Sequence, residues 1–370
     1  MKDFYSFDEL SIPLWIKALF WGLYMVIFVY TVWKTILAKH KDKQNMEVSK
    51  LFVLYFALYA VFYCVNPDYF SYRNWMSGLD ITIWEKEKFY VYLVMICNLL
   101  PFDYPFEVFR LIIWGGALLL VWLTSKLYRT LLMPGLTVLF LFVFFSGIFC
   151  YARASLGMAV YFLGIVIYLR ANNLWVKILG IGLALCSFLF HHEMIIGVAV
   201  LPSIIFPFEK KKTIYLSFIL LIIAIAGITY INSNLELLEE TLGSDDLVDK
   251  MEEFNNQEQG VFRISTLVKY LNIFYPFFII SNCFYKHKSQ PKTIVGIYRI
   301  TFVILLITIA FFVVSGSRST YTYRVMYIAI IPISIMIAYC YKQGYFKQYQ
   351  FAVMLFLAFL TNSIRLINSI

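Results

Sequence analysis

Eight ionisable side chains lie beside or between long apolar segments of this 370-residue chain. Charge at membrane depth is costly, so such residues are candidate functional residues by default. If the apolar segments cross a bilayer in order, all eight positions come to the same side. Their side chains could then form one site that binds an anion and accepts a proton. The eight are Asp68, Arg73, Arg153, His191, His192, Glu193, Arg318 and Arg324.

The arginines are candidates for binding a phosphate-like anion. Arg153 lies in a tight hairpin before an apolar helix, where Ser155 could cap the helix N-terminus. Arg318 and Arg324 lie in and just after the run 315–323, whose glycine and hydroxyl residues could form a nest for phosphate oxygens. Two arginine regions far apart in sequence are what a diphosphate would require. The alternative for Arg153 is a side chain that extends to lipid headgroups.

The candidates for proton transfer are His191 and Asp68. Neutral imidazole can accept a proton from a hydroxyl group. Adjacent helical residues point about 100° apart, so His191 and His192 cannot both face one site. The alternatives are a structural hydrogen bond for His191 and an ion pair between Asp68 and Arg73. The run His191-His192-Glu193 lacks the i, i+4 spacing of a helical zinc motif, so we expect no metal and no cofactor.

Aromatic side chains near these groups could provide stacking surfaces for a sugar. Tyr69 and Tyr72 lie in the same outer segment as Arg73. Tyr327 lies about one helical turn after Arg324, so both can face the interior of a helix bundle. We therefore predict Tyr69, Tyr72, Arg73 and Tyr327 as sugar-binding residues.

The elements that must position these residues are membrane helices. Hydrophobic residues make up 61% of the chain and charged residues 14%, which is outside the range of soluble domains. Apolar segments in lipid must satisfy their own backbone hydrogen bonds, and a span needs about 20 residues. We expect an all-α, polytopic integral membrane protein of about twelve transmembrane helices, a single domain over residues 1–370. Helices are predicted near 12–36, 50–65, 106–125, 131–151, 154–170, 174–191, 194–208, 213–231, 264–284, 293–314, 325–341 and 349–366.

The net charge of +9 follows membrane topology, and we expect no nucleic-acid partner. The odd-numbered connections hold sixteen Lys and Arg residues and three acids, whereas the other nineteen acids fall on the opposite side. Because basic loops face the cytoplasm, both termini and the polar clusters are predicted to be extracytoplasmic. Residues 89–100 are too short to span and are predicted to form an interfacial helix. Segments 66–88 and 232–263 are the long outer loops.

Four short motifs, taken in order, resemble the EpsG-type branch of bacterial Wzy-like polysaccharide polymerases. They are DYFSY at 68–72, RAS at 153–155, SFLFHHEM at 187–194 and RVMY at 324–327. The resemblance covers roughly residues 66–330. In the third motif, Glu193 and Met194 replace the small residue and the alanine that the family pattern carries after F-H-x. This departure makes Glu193 a candidate partner that orients His191.

The resemblance implies a GT-C-like multispan fold that joins polyprenyl-diphosphate-linked oligosaccharide repeats. Such enzymes make O-antigen, capsule or exopolysaccharide at the bacterial cytoplasmic (inner) membrane. Arg153, Arg324 and Arg318 would hold the diphosphate, with His191 as first choice of base and Asp68 as second. The implied partners are the lipid-linked donor and acceptor, membrane lipids and a chain-length regulator. A glycan ligase with the same donor, and a flippase or transporter of lipid-linked sugar, are the alternatives.

Overall fold

Helices account for nearly all of the residues that the computed structural model describes. These residues are 14–33, 50–51, 54–55, 57–58, 88–101, 105–127, 152–191, 194–210, 213–233, 264–287, 289–315 and 320–368. Their α-helices are α1 (Leu14–Val32), α2 (Lys88–Leu99), α3 (Pro105–Leu127), α4 (Ala152–Arg170), α5 (Leu174–Cys186), α6 (Met194–Ala199), α7 (Ile214–Ser233), α8 (Ile264–Lys286), α9 (Lys292–Ser315), α10 (Thr320–Ile328), α11 (Ile330–Lys342) and α12 (Gln348–Asn368). Two 3-10 turns follow α5 and α6, the first at Ser187–Leu189 and the second at Leu201–Ile205.

The predicted helix positions are confirmed for most of the described chain. Helices α3, α4, α7, α8, α9 and α12 begin and end within two residues of the predicted limits. The predicted helix 131–151 lies outside the described residues, as do most of 50–65 and of the loops 66–88 and 232–263. By length and composition, four described helices could cross a membrane, so the expected number of twelve spans is not confirmed. They are Glu107–Leu127, Thr266–Lys286, Lys292–Val314 and Thr322–Lys342.

The span predicted at 174–191 is shorter than expected. Helix α5 ends at Cys186, and the chain continues only as the first 3-10 turn. The Ser187 hydroxyl donates to the Ala184 carbonyl at 2.6 Å. Such a bond from a serine side chain competes with the helical pattern of the backbone. The helix therefore stops before it reaches His191.

The span predicted at 194–208 is also shorter than expected. Only the six residues of α6 are α-helical, and the second 3-10 turn follows them. Pro202 has no N–H to donate to the Val198 carbonyl, which weakens the α-helix at this point, although α8 continues through Pro276. Short helical pieces, and not two full spans, therefore flank the His191 position.

Helix α2 is too short to span a membrane, as predicted. Its 12 residues extend about 18 Å, against a hydrocarbon core of about 30 Å. Tyr90 and Leu93 are buried, whereas Tyr92, Met95 and Leu99 are exposed. An exposed apolar face on so short a helix is typical of a segment that lies in the membrane interface.

Helices α4 and α5 touch backbone to backbone. A Cβ atom on Gly164 would lie 2.5 Å from the Gly180 carbonyl oxygen and 2.6 Å from the Ala184 nitrogen. Only glycine fits at position 164, because the obstructing atoms belong to the backbone. Gly180 and Ala184 form the small-xxx-small pattern that lets membrane helices approach closely. Van der Waals contact at this crossing therefore fixes α5 against α4.

Helix α11 forms the centre of the bundle. Every residue from Ile330 to Cys340 is buried. The helix packs against α4, α8 and α9, while α12 packs outside it on α8 and α1. Asn362 of α12 donates to the Tyr24 hydroxyl of α1 at 2.7 Å, which ties the ends of the chain together. Helix α11 is thus enclosed by α4, α8, α9 and α10, whereas α3 and α5 pack on α4, and α7 packs on α9.

The outward faces of the helices are as apolar as the interior. On α7, the exposed side chains include Tyr215, Phe218, Ile222 and Ile223. Soluble monomers do not expose continuous apolar surface of this extent. The bundle surface therefore fits a lipid environment.

The basic connections meet at one end of the bundle. Arg170, which ends α4, donates to the Leu127 carbonyl, which ends α3. The His287 ring after α8 stacks on the Tyr345 ring after α11 at 4.1 Å. We call this the basic end, and the opposite end, where α3, α4, α8 and α10 begin, the far end. The helix directions agree with the alternation predicted from charge.

A bidentate ion pair stabilises the packing at the basic end. Arg299 of α9 donates from Nε to Oε2 of Glu209 at 2.9 Å and from Nη2 to Oε1 at 2.6 Å. Its Nη1 donates to the Ile204 carbonyl at 2.6 Å. Burial raises the pKa of the Glu209 carboxyl, but the hydrogen bonds and charge of Arg299 outweigh it and the pKa is lowered. The pair thus ties the second 3-10 turn to α9.

Replacing Gly164 by alanine should destabilise the protein by about 1–3 kcal/mol, because the new methyl group meets backbone atoms that cannot move aside. Gly182→Ala is the matched control on α5, since a Cβ there meets nothing within 4 Å. The control should be neutral or slightly stabilised, because alanine is the better helix former. Thermal unfolding in detergent measures both variants. Equal midpoints for the two would contradict the backbone contact.

Glu209→Gln should lower stability by on the order of 2 kcal/mol, because it leaves the largely buried Arg299 charge unpaired. The double variant with Arg299→Gln should recover part of this loss. The lowered pKa means that the Glu209 contribution is present above the ordinary carboxyl pKa of 4.5 and fades as pH falls through the folded pKa. Unfolding midpoints of wild type and Glu209→Gln at pH 7 and at acidic pH measure this. A gap that stays constant or widens in acid would argue against the ion pair as its source.

Candidate active site

His191 lies in a tight turn at the far end, between α5 and α6. Its backbone N–H donates to the Ser187 carbonyl at 3.3 Å, and its carbonyl accepts from the Met194 N–H at 2.9 Å. Its side chain is 5% exposed. The turn therefore holds an imidazole inside the protein, with its backbone fixed on both sides.

The start of α4 packs against this turn. A Cβ atom on Gly157 would lie 3.4 Å from both the Phe190 Cβ and the Ser187 carbonyl oxygen. Position 153 is four residues earlier, on the same face of α4 and about one turn nearer to the helix start. The backbone thus brings Arg153 and His191 to the same end of the bundle. The side chain of Arg153 lies outside the described residues.

A buried hydrogen bond holds the other side of the turn. The Tyr161 hydroxyl of α4 donates to the Gly197 carbonyl of α6. A Cβ on Gly197 would lie 3.2 Å from the Tyr161 ring, so the two helices are in direct contact. Helix α4 therefore contacts the chain both before and after His191.

Aromatic rings connect the His191 turn to α2 and α3. The Phe190 ring lies 4.3 Å from Phe89 of α2. Phe89 contacts Tyr90 at 5.4 Å, and Tyr90 contacts Phe109 of α3 at 6.3 Å, both edge to face. This chain of contacts brings the first turns of α3 to the same end as the imidazole.

Arg110 is a buried cation at this end that the sequence analysis missed. It follows Phe109 and is 4% exposed. Its guanidinium carbon lies 4.8 Å from the centre of the Trp114 ring, a cation–π distance. The signal in the sequence was a charged residue inside a full-length apolar helix, which is costly to keep without a role.

A second group of polar side chains, the tyrosine cluster, joins α8 to α10. It consists of Lys269, Tyr270, Tyr323, Arg324 and Tyr327. The Tyr270 and Tyr323 rings stack at 5.5 Å, and Tyr323 and Tyr327 at 6.4 Å. The Lys269 Nζ lies 5.2 Å from the Tyr323 ring centre. Arg324 is half-buried and Tyr327 is buried, as expected for residues that face the bundle interior.

Helix α9 contacts both the tyrosine cluster and α4, and so shows how the two lie along the bundle. The Tyr270 ring meets Phe312 of α9 edge to face at 5.3 Å. Nearer the basic end, a Cβ on Gly296 would lie 2.7 Å from Leu169 of α4. The two helices run in opposite directions, and Phe312 and Arg153 lie equally many residues from this contact. Equal helical rises therefore bring Phe312 and Arg153 towards the same level of the bundle.

The remaining predicted site residues lie outside the part of the chain that the structure describes. They are Asp68, Tyr69, Tyr72 and Arg73 in the loop before α2, His192 and Glu193 beside His191, and Arg318 between α9 and α10. Their roles stay predictions.

Sequence comparison assigns the chain to a known family. A family model, that of the EpsG family, matches residues 48–369. The chain belongs to the EpsG family. This is the family of Wzy-like polysaccharide polymerases, so the resemblance inferred from the four motifs is confirmed. No curated protein and no solved structure matches the chain significantly.

Membership in the EpsG family gives the general function. The matched region contains every helix from α2 to α12, and so all the candidate site residues. The protein is a multi-pass membrane protein of polysaccharide biosynthesis, with polymerase activity of the glycosyltransferase type.

Tyr270 and Tyr323 are further aromatic residues at the far end that sequence reasoning missed. Their signal was the i, i+4 spacing with Phe274 and Tyr327 on α8 and α10.

Tyr161→Phe should lower stability by about 1–2 kcal/mol, because it leaves the buried Gly197 carbonyl without its hydrogen bond. Tyr168→Phe, on the same helix and nearer the basic end, is the control and should be close to neutral. Thermal unfolding of the two variants in detergent gives the comparison. If Tyr161→Phe were no less stable than the control, the Tyr161 hydroxyl would not hold the α6 segment.

Proposed function

We propose that the protein transfers a growing glycan from polyprenyl diphosphate to a lipid-linked repeat unit on the outer face of the cytoplasmic membrane. The observation that carries the proposal is the grouping of cationic, imidazole and phenol side chains at the far end, opposite the basic connections. The described members are Arg110, His191, Lys269, Arg324 and Tyr327. EpsG-family membership supplies the reaction class, and the chemistry of these groups suggests the donor.

The departing lipid diphosphate sets the main electrostatic requirement. As the bond between the sugar C1 and the diphosphate oxygen breaks, negative charge grows on the leaving group and must be stabilised. A guanidinium group binds phosphate oxygens through two parallel hydrogen bonds. Arg324 and Arg153 would take this role, with Arg318 as a third member.

The acceptor must lose a proton as it attacks. Its hydroxyl oxygen forms the new bond to C1, and His191 accepts the hydroxyl proton and later releases it to solvent. Holding the imidazole in a closed turn keeps it in one orientation, which favours attack by a positioned acceptor. Glu193 would orient the ring, and Asp68 is the alternative base.

The sugars require flat surfaces and hydrogen-bonding groups. Tyr327 would provide such a surface from the tyrosine cluster. Tyr69, Tyr72 and Arg73 would add others from the outer loop. Aromatic faces suit the apolar face of a sugar ring, while the phenol hydroxyl groups can bond to sugar hydroxyls.

The side of the membrane follows from charge. The positive-inside rule assigns the basic end to the cytoplasm, so the far end would face outwards. Helix α2, with its exposed apolar face, would lie in the outer interface. Donor and acceptor lipids could then reach the site laterally without leaving the bilayer.

Arg153→Ala and Arg324→Ala should each remove long-chain glycan without changing the amount of protein in the membrane. Loss of a charge-assisted contact costs about 1.5–3 kcal/mol, or one to two decades in rate. Replacing either arginine by lysine should restore activity only in part, because lysine keeps the positive charge but cannot form two parallel hydrogen bonds to a phosphate. Arg170→Ala is the matched control, since Arg170 ends the same helix as Arg153 but lies at the basic end.

The measurement is the chain-length ladder of a deletion strain that carries each variant, with immunoblots for abundance. Wild-type ladders in the Arg153 or Arg324 variant would remove that arginine from the site. The deletion strain itself separates the rival activities. Single-repeat caps indicate a polymerase, polymer that is made but not attached indicates a ligase, and repeats trapped inside the cell indicate a flippase.

A further inference from the structure

An apolar groove lies on the side of the bundle between α8 and α9. Its volume is about 520 Å³, within the range of small-molecule sites. Four phenylalanines line it, Phe274, Phe277 and Phe278 from α8 and Phe302 from α9. Polar side chains of α8 line the end of the groove that is nearer the basic end of the molecule. They are Ser281, Asn282 and Tyr285.

The floor of the groove is built from fixed side chains. The Phe277 ring stacks on Tyr298 of α9 at 5.3 Å. The Tyr298 hydroxyl donates to the Ser281 hydroxyl at 3.1 Å, and the Ser281 hydroxyl donates to the Phe277 carbonyl at 2.9 Å. Phe278, by contrast, is 67% exposed and forms the rim. The groove therefore has a rigid base and an open side.

The groove lies beside the tyrosine cluster. The Tyr270 ring contacts the Phe274 ring at 6.3 Å. Tyr270, Phe274 and Ser281 are spaced by four and seven residues and so share one face of α8. From Lys269 to Asn282 the helix rises about 20 Å. Lys269, whose Nζ contacts the Tyr323 ring, thus lies next to Tyr270 at the far-end side of the groove. Arg324 follows Tyr323 on α10, so two cations lie on the side of the groove that faces the tyrosine cluster.

We propose that the protein binds an isoprenoid lipid diphosphate here, with its head at Lys269 and Arg324 and its chain in the groove. The inference rests on the proposed function and deepens it by naming where the lipid part of the substrate lies. A diphosphate carries enough negative charge to match two cations. Lysine and arginine side chains form strong, charge-assisted hydrogen bonds with phosphate oxygens. The methyl-branched, unsaturated chain presents flat apolar faces, which pack well on aromatic rings. The open side lets the lipid enter from the bilayer.

The occupant can be identified by photo-crosslinking in intact membranes. Phe278→benzoylphenylalanine places a reactive ring at the rim of the groove while keeping an aromatic residue there. Phe218→benzoylphenylalanine is the matched control, because Phe218 is the same residue type, is 60% exposed and lies on α7. After irradiation, mass spectrometry of the purified protein identifies the attached lipid. Adducts with isoprenoid phosphates should be strongly enriched at position 278 over position 218.

Two results would overturn the assignment. The first is phospholipid as the sole adduct at position 278, and the second is equal isoprenoid yield at both positions. The head site has its own test, since Lys269→Gln should lower the isoprenoid adduct at position 278 about tenfold by removing one charge-assisted contact. Lys269→Arg should restore it. An unchanged yield in Lys269→Gln would place the head elsewhere.

The adduct and the glycan ladder report on different claims. If isoprenoid adducts form at position 278 but deletion of the protein leaves polymer length unchanged, lipid binding in the groove is supported and the polymerase function is contradicted. If deletion abolishes the polymer but no isoprenoid adduct forms at position 278, the polymerase function is supported and lipid binding in the groove is contradicted. Each claim can therefore fail alone.

Discussion

The contact between the backbones of α4 and α5 sets the position of the His191 turn. At Gly164 and Gly180 the two helices are so close that no side chain separates them. Helix α5 therefore follows α4 closely up to Ser187, and the chain turns at the level of Gly157. If the helices stood farther apart, the imidazole would move away from the start of α4. The position of His191 relative to the start of α4 is thus set more than one helical turn away from either.

Hydrogen bonds from side chains compensate for the backbone hydrogen bonds that short helical segments such as α6 cannot form. A full span satisfies its own backbone groups, but α6 and the 3-10 turns leave carbonyls open. Tyr161 provides the donor for Gly197, and Arg299 provides it for Ile204. Unsatisfied carbonyls are costly in an apolar environment, so these donors stabilise the short helical segment. Side chains of α4 and α9 thus supply the hydrogen bonds that a continuous helix would supply itself.

Helix limits could be predicted from sequence because hydropathy marks where the chain enters and leaves lipid. Lys and Arg counts predicted that the basic connections lie at one end of the bundle, and the contact of Arg170 with Leu127 agrees with this grouping. The breaks after Cys186 and Ala199 were not predicted, because hydropathy counts apolar residues and ignores local bonding. The Ser187 hydroxyl bonds to a carbonyl three residues earlier, and Pro202 lacks an N–H donor, so each weakens a helix that composition alone would continue.

The candidate site was predictable only in part, for a related reason. His191 and Arg324 lie beside apolar segments and were visible as charges at span ends. Arg110 and Lys269 lie within helices, and their neighbours in space come from other helices. In a bundle that is apolar on both its inner and outer faces, periodicity does not show which face meets another helix. Ring contacts such as Tyr270 with Tyr323 could therefore be found only from coordinates.

The burial of α11 has a consequence for how the protein is made. The ribosome delivers α1 to α9 to the membrane before this buried helix. Membrane helices insert individually and associate afterwards, so α4, α8 and α9 must first wait in lipid with their inner faces unmatched. Residues 330–340 then arrive late and complete the centre. The faces of α4, α8 and α9 that contact α11 are thus covered only in the last stages of translation, and a chain interrupted before α11 would leave these faces without their partner.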